Sequence, residues 1–214
     1  PECFLAAILN SQPMGFYPPS QLIQDAVRHG VQVLPPDVSH SDWDTQLANQ
    51  SGSDSNSFFN SRDSPPAVRL GLRLVGGLSA GAGQRIEAAR AEAPFTSTED
   101  LSLRAQLDVR DLNALAAGDA LKSLSGHRRQ QVWDAAARHR APALLRGAPV
   151  NEEALLLDAA HEGEEIVFDY ASLGLTLRRH PLALLRERLA RKGFLNAVQL
   201  TALPHGRTVS ACGI

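Results

Sequence analysis

Cysteine is almost absent from this chain: two in 214 residues, Cys3 and Cys212, at opposite ends. Neither belongs to a Cys-x-x-Cys spacing or a histidine cluster. That excludes a zinc knuckle and a disulfide framework, and it fits a reducing cytosol. Long apolar runs are missing too. None approaches the roughly 20 residues that cross a bilayer, and no charged-then-apolar signal segment opens the chain, so a cytoplasmic protein without a membrane partner is expected. Net charge is also scant, −2, while 43% of residues are apolar. This excludes a disordered tail and leaves one large domain or two small ones with real cores.

The small net charge conceals segregated blocks. Lys122, Arg128, Arg129, Arg138, Arg140 and Arg146 are opposed only by Asp134. Glu152, Glu153, Asp158, Glu162, Glu164, Glu165 and Asp169 reverse the sign. Arg178, Arg179, Arg186, Arg188, Arg191 and Lys192 then restore it, against Glu187 alone. Such blocks are either solvated helix faces or partner surfaces.

Glu2–Asn10 reads as a short buried helix. A second runs from Gln21 to His29, capped by Ser20, striped by Leu22, Ile23, Ala26 and Val27, and ended by Gly30. Val31–Leu34 alternates as a strand. Residues 45–66 read as a flexible linker: Gln50 to Ser57 has nothing apolar to bury, Phe58 and Phe59 are its only anchors, and Pro65-Pro66 closes it. Beyond it the pattern is helical: Gly83–Ala91, a helix capped by Thr96-x-x-Glu99, Asp108–Ala117, Gly126–Arg138, Glu152–Ala160, Glu164–Leu173 and Pro181–Arg191. Val209–Ile214 reads as a strand at its beginning, so the chain is expected to be an excised fragment.

Two turns could hold DNA. Leu74-Val-Gly-Gly-Leu-Ser-Ala-Gly81 precedes a helix and resembles a helix-hairpin-helix turn. Small residues let backbone approach a phosphate, amides at the helix start face that anion, Leu78 tucks inward, and Arg85 adds charge. Its second flank is Ser79, where glycine is usual. Ala117-Gly-Asp-Ala-Leu-Lys-Ser-Leu-Ser-Gly126 joins two more helices and leads into His127, Arg128 and Arg129. Amides and cations converging there suit a phosphate backbone rather than a base edge. The expected DNA contacts are Gly77, Leu78, Ser79, Ala80, Gly81 and Arg85 in the first hairpin. In the second they are Ala120, Leu121, Lys122, Ser123, His127, Arg128 and Arg129, with the first hairpin expected to brace the second. Trp133 is expected in the core.

Several segments resemble the bacterial C-family (DnaE-type) DNA polymerases. Asn10-Ser-Gln-Pro-Met-Gly-Phe-Tyr17 and Leu22-Ile-Gln-Asp-Ala-Val-Arg-His-Gly-Val31 are similar to the end of the fingers. Gly71-Leu-Arg-Leu-Val-Gly-Gly77 and Pro94-Phe-Thr-Ser-Thr-Glu-Asp-Leu101 are similar to the helix-hairpin-helix unit. Asp169-Tyr-Ala-Ser-Leu-Gly-Leu-Thr-Leu-Arg-Arg-His-Pro-Leu182 is similar to the segment leading to an OB-fold. Val33-Leu-Pro-Pro-Asp-Val38, Ser41-Asp-Trp-Asp44 and Thr176-Leu-Arg-Arg-His180 look most like the error-prone ImuC branch. Residues 138–150 contain neither the glutamine nor the phenylalanine of the replicative members' clamp-binding peptide.

The resemblance implies a mainly α fold: a tandem helix-hairpin-helix domain with a small α/β remnant of the fingers at the N-terminus. It divides the chain into 1–44 (end of fingers), 45–66 (linker), 67–146 (tandem hairpins), 147–204 (helical connector) and 205–214 (first OB-fold strand). It further implies a parent DNA polymerase, active in damage-induced translesion synthesis, whose Mg ions are held by palm aspartates outside this chain. Within the chain it implies no catalytic residue, metal or cofactor, and no polymerase activity by itself. Implied partners are double-stranded or primer–template DNA, and ImuB, through which ImuA and the sliding clamp are reached. The rival reading is a protein-interaction module in which the Arg178–Lys192 and Glu152–Asp169 blocks dock ImuB. A stand-alone hydrolase is disfavoured, since nothing arranges Ser, His and Asp as a triad.

Overall fold

The computed structural model describes residues 1–48, 65–136 and 155–213. The expected anchors Phe58 and Phe59 and the stretch 138–150 lie outside the described residues. Pro1–Leu177 forms one compact unit and Arg178–Ile214 a second. Helices are the dominant element in both, with one small three-stranded sheet in the first, in keeping with the mainly α expectation.

The first unit opens with α1 (Glu2–Asn10), which buries Leu5, Ala6 and Leu9, and α2 (Pro19–Arg28), which buries Ile23. The start of α2 departs from the sequence reading. Pro18 is its N-cap and Pro19 its first residue, where a fixed φ and a missing N–H cost nothing, so Ser20 lies inside the helix. Gly30 has the expected positive φ, 85°. Three short strands follow: β1 (Val33–Leu34), β2 (Gln46–Ala48) and β3 (Ala67–Arg69). β3 is central, parallel to β1 through Val33–Val68 and antiparallel to β2 through Leu47–Val68. Thus Gln46–Ala48, assigned by sequence to a linker, are laddered into a sheet. Three residues are too few for periodicity to reveal.

The hairpin region begins with a 3₁₀ turn (Leu72–Leu74). Then come α3 (Ala80–Glu92), α4 (Thr98–Arg104), α5 (Val109–Ala117), α6 (Lys122–Ser125), α7 (Arg128–Ala136) and α8 (Glu162–Leu173). Caps fix the helix starts. Ser79, Ser97 and Asp108 accept from the amides of Ala82, Asp100 and Asp111 respectively. The cap of α4 is therefore Ser97 and not Thr96, whose amide instead donates to Asp100 Oδ2 at 3.1 Å. That bond, assisted by Arg104, holds the Asp100 carboxyl below its ordinary pKa. The expected helix over 152–160 is not formed in its described part, Leu155–Ala160. Side chains at the start of α7 take the backbone groups of Leu157 that a helix would need: Gln130 Oε1 accepts from its amide (3.2 Å), and Nε2 of His127, just before the helix, donates to its carbonyl (2.7 Å).

Two apolar clusters fill this unit. One joins Leu72, Leu78, Ile86, Leu101, Leu112, Leu115 and Leu121 with Val38. The other joins Leu5, Leu9, Ile23, Val68, Leu70 and Leu175, and Leu173 at the end of α8 touches both. The Asp37–Thr45 loop is strapped across α3. Arg90 Nη1 donates to the carbonyls of Val38 (2.9 Å) and Ser41 (2.6 Å), its Nη2 pairs with Asp42, and Glu87 accepts from the Trp43 amide. Asn10 and Thr45 exchange two bonds of 2.9 and 2.7 Å. The α1–β2 region and the first hairpin helix thus belong to one body.

The second unit contains α9 (Pro181–Arg191), begun by Pro181 as expected, and α10 (Ala197–Thr201), opened by an Asn196/Gln199 capping box. The strand expected from Val209 is not formed among the described residues. Only a parallel bridge, Leu195 to Ala211, is present, since a strand without sheet neighbours leaves its backbone groups to water.

The Trp43 ring lies against Gly83 so closely that a Cβ there would overlap it. Gly83→Ala is expected to destabilise the chain by about 1–3 kcal/mol, despite the gain in helix propensity. Adding Trp43→Leu should recover most of that loss in thermal denaturation.

Candidate nucleic-acid interface

The two hairpins, so alike in sequence, face opposite ways in the use of their amides. In the first, Val75 and Leu78 are buried while Gly76, Gly77, Ser79, Ala80 and Gly81 are exposed. The chain turns at Gly77, whose φ of 87° disfavours any side chain. Ser79 sits at φ −85°, ψ 150°, extended backbone that serine adopts freely, so the missing second glycine costs nothing here. Its hydroxyl accepts from Ala82 at 3.1 Å. The amides of Gly77, Ser79, Ala80 and Gly81 have no acceptor among the described residues. Four donors without an internal acceptor thus lie on exposed residues at and just before the start of a 13-residue helix.

Cationic side chains flank this group. Arg85 is 42% exposed and lies along Gly81. Its Nε donates to the Ala105 carbonyl (2.9 Å), and its Nη2 stands 3.5 Å from Asp111 Oδ2. Gly77 abuts Ala114 of α5, and Arg110, one turn earlier on the same face, is exposed. The sequence reading missed Arg110 because only the tertiary contact between Gly77 and Ala114 brings it to the first hairpin.

The second hairpin is turned inward, which corrects much of the sequence reading. Ala120 and Leu121 are fully buried. Their amides donate to Leu115 O (2.9 Å) and Gln131 Oε1 (3.1 Å). The Ser123 amide and hydroxyl both donate to Asp37, at 3.1 and 2.7 Å. An internal carboxylate therefore stands where a phosphate was expected. His127 is engaged with Leu157 and, through Nδ1, with the Gln130 amide. Arg128 is 3% exposed and spans α7 to α8. Its Nη1 donates to Glu165 O (3.0 Å) and lies 3.3 Å from Glu165 Oε2. Its Nη2 pairs with Asp169, and the guanidinium rests 5.8 Å from the Phe168 ring centroid. It cannot reach an external phosphate. Lys122 and Arg129 remain exposed, the latter in an exposed ion pair with Glu164 (2.7 Å) of the kind that contributes little. Trp133, expected in the core, is 49% exposed, its helix burying Gln131 and Ala135 instead. So the first hairpin presents the donors and the second braces, the reverse of the sequence-based assignment. Among the described residues no group of three or more His, Cys, Asp or Glu could hold a metal ion, and no helix is long and apolar enough to cross a membrane.

Residues 30–131 match the family model described as helix-hairpin-helix motif. Over its whole length the chain is similar to part of several proteins named error-prone DNA polymerase. It is 51% identical to "Error-prone DNA polymerase" of Bordetella parapertussis, aligning all of itself with 20% of that protein. It is 50% identical to "Error-prone DNA polymerase" of Dechloromonas aromatica over the same shares, and 50% identical to that of Ralstonia nicotianae over 19% of its length. It spans about a fifth of the length of these curated relatives.

Arg128→Met leaves two buried carboxylates without their cation and is expected to cost about 3–5 kcal/mol. The triple variant Arg128→Met/Glu165→Gln/Asp169→Asn, with no buried charge left, should recover most of this in urea unfolding.

Proposed function

We propose that this region grips duplex or primer–template DNA without reading its sequence, for a polymerase that synthesises past damaged template. The observation that carries the reading is the set of four amides without an acceptor among the described residues, at Gly77, Ser79, Ala80 and Gly81, flanked by Arg85 and Arg110. Such a group suits one phosphate oxygen cluster. Amide hydrogen bonds would fix its position, and the helix dipole and two guanidiniums would neutralise it, contacts that carry no sequence information. Lys122 and Arg129 on the second hairpin can add contacts to the backbone.

In the whole polymerase, nucleotidyl transfer would belong to Mg ions and carboxylates outside this chain. The part of these residues is to hold the duplex in place, lengthening its residence. The organisation we favour keeps the sequence-based segments as functional parts: 1–44 with the fingers, 67–146 on DNA, 147–204 as connector and 205–214 toward an OB-fold. Docking to ImuB, and through it to ImuA and the sliding clamp, is the second reading. It is favoured by α9 and its C-cap, where Arg186, Arg188, Arg191 and the capping Lys192 are all exposed. The setting would be the cytoplasm.

Fluorescence anisotropy of the chain with a labelled primer–template across a salt series tests this. Binding should be equal for unrelated sequences. Arg85→Ala and Arg110→Ala should each flatten the log–log salt slope by about 0.9, whereas Ser123→Ala should leave it unchanged. Absence of binding at low salt, with ImuB bound instead, would transfer the role to the second reading.

A further inference from the structure

We propose that Arg128 is a positioning residue for the first hairpin, acting through α8, although it lies beyond the second. This rests on the first hairpin being the phosphate contact. The chain of contacts is short. Arg128 holds the inner face of α8 at two successive turns, through Glu165 and Asp169. Asp169 Oδ2 also accepts from Thr176 Oγ1 at 2.6 Å, which ties down the segment leaving the helix. Between those two ties lies Ser172, and its carbonyl accepts the Gly76 amide at 2.8 Å. Gly76 is the residue before the turn at Gly77, so this bond sets the direction from which the backbone enters the phosphate-facing amides. The approach is too close for a side chain: a Cβ at Gly76 would stand 2.7 Å from the Ser172 oxygen.

Within the turn the Leu78 amide donates to the Val75 carbonyl at 3.3 Å, and the turn's other supports among the described residues are apolar. Val75 packs at Gly118, and Leu78 is buried in the core. Contacts of that kind hold the hairpin's depth but are non-directional, whereas a hydrogen bond fixes an orientation. The fork of Arg128 suits the task because a planar guanidinium meets two carboxylates at set angles, which a lysine ammonium does not.

The test uses the 214-residue chain and the charge-free variant Arg128→Met/Glu165→Gln/Asp169→Asn, which avoids unpaired buried charge, with Arg128→Lys beside it. Amide exchange should quicken at Gly76 in the triple variant while Gly83, inside α3, keeps its protection. Affinity for a primer–template duplex should fall about three- to thirty-fold, at an unchanged salt slope, because no phosphate contact is removed. Arg128→Lys should fall between. Unchanged exchange at Gly76 would overturn the linkage, and so would quickened exchange with wild-type affinity. A slope flattened by about 0.9 would make Arg128 a direct contact and overturn it as well. A wild-type chain that binds no duplex, with Gly76 still responding to the variants, would instead overturn the reading of the first hairpin as the DNA grip.

Discussion

A single guanidinium, withdrawn from water between Glu165 and Asp169, is the constraint on which the arrangement of this unit turns. Burying a charge is costly unless it is met by opposite charge and by hydrogen bonds in good geometry. Arg128 receives both from one helix, so α7 and α8 have one favourable way to lie together, and its Nε has no hydrogen-bond partner among the described residues. The position of α8 then decides two further things. Leu173 falls where it closes both apolar clusters, and the Ser172 carbonyl meets Gly76. Hydrophobic burial supplies the bulk of the stability here, but it does not by itself choose between nearby packings.

Most helices were legible because caps and periodicity are local signals. Pro181, Asp108 and Gly30 each act within a few residues, and the structure places all three where those signals put them. The failures share a cause. Thr96 and Ser97 both suit a cap, and only the tertiary course of the chain selects the second. Gln46–Ala48 owes its ladder to β3, about twenty residues away, and Leu155–Ala160 is kept from helix by the side chains of His127 and Gln130. For the candidate site, the sequence located both turns correctly and could not tell which way their donors face. A run such as Lys122, Arg128 and Arg129 looks equally cationic whether its members meet solvent or carboxylates from 37 residues further along the chain.

The strap of residues 37–45 over α3 has a similar lesson for the boundaries drawn from composition. A serine-rich stretch at 50–57 suggests a break between independent parts, yet Arg90, Glu87 and Gly83 are committed to the loop that precedes it. Low complexity marks where chain is solvated, not where the body it belongs to ends.

The bond from Ser123 to Asp37 has a consequence of its own. The second hairpin carries its counter-anion as part of the same chain, at an effective concentration set by the fold rather than by the solution. An incoming phosphate must compete with a tethered carboxylate that never diffuses away, and salt cannot dilute it. The Ser123 end of this turn is thus saturated from within, and its shape draws on no anion from solution.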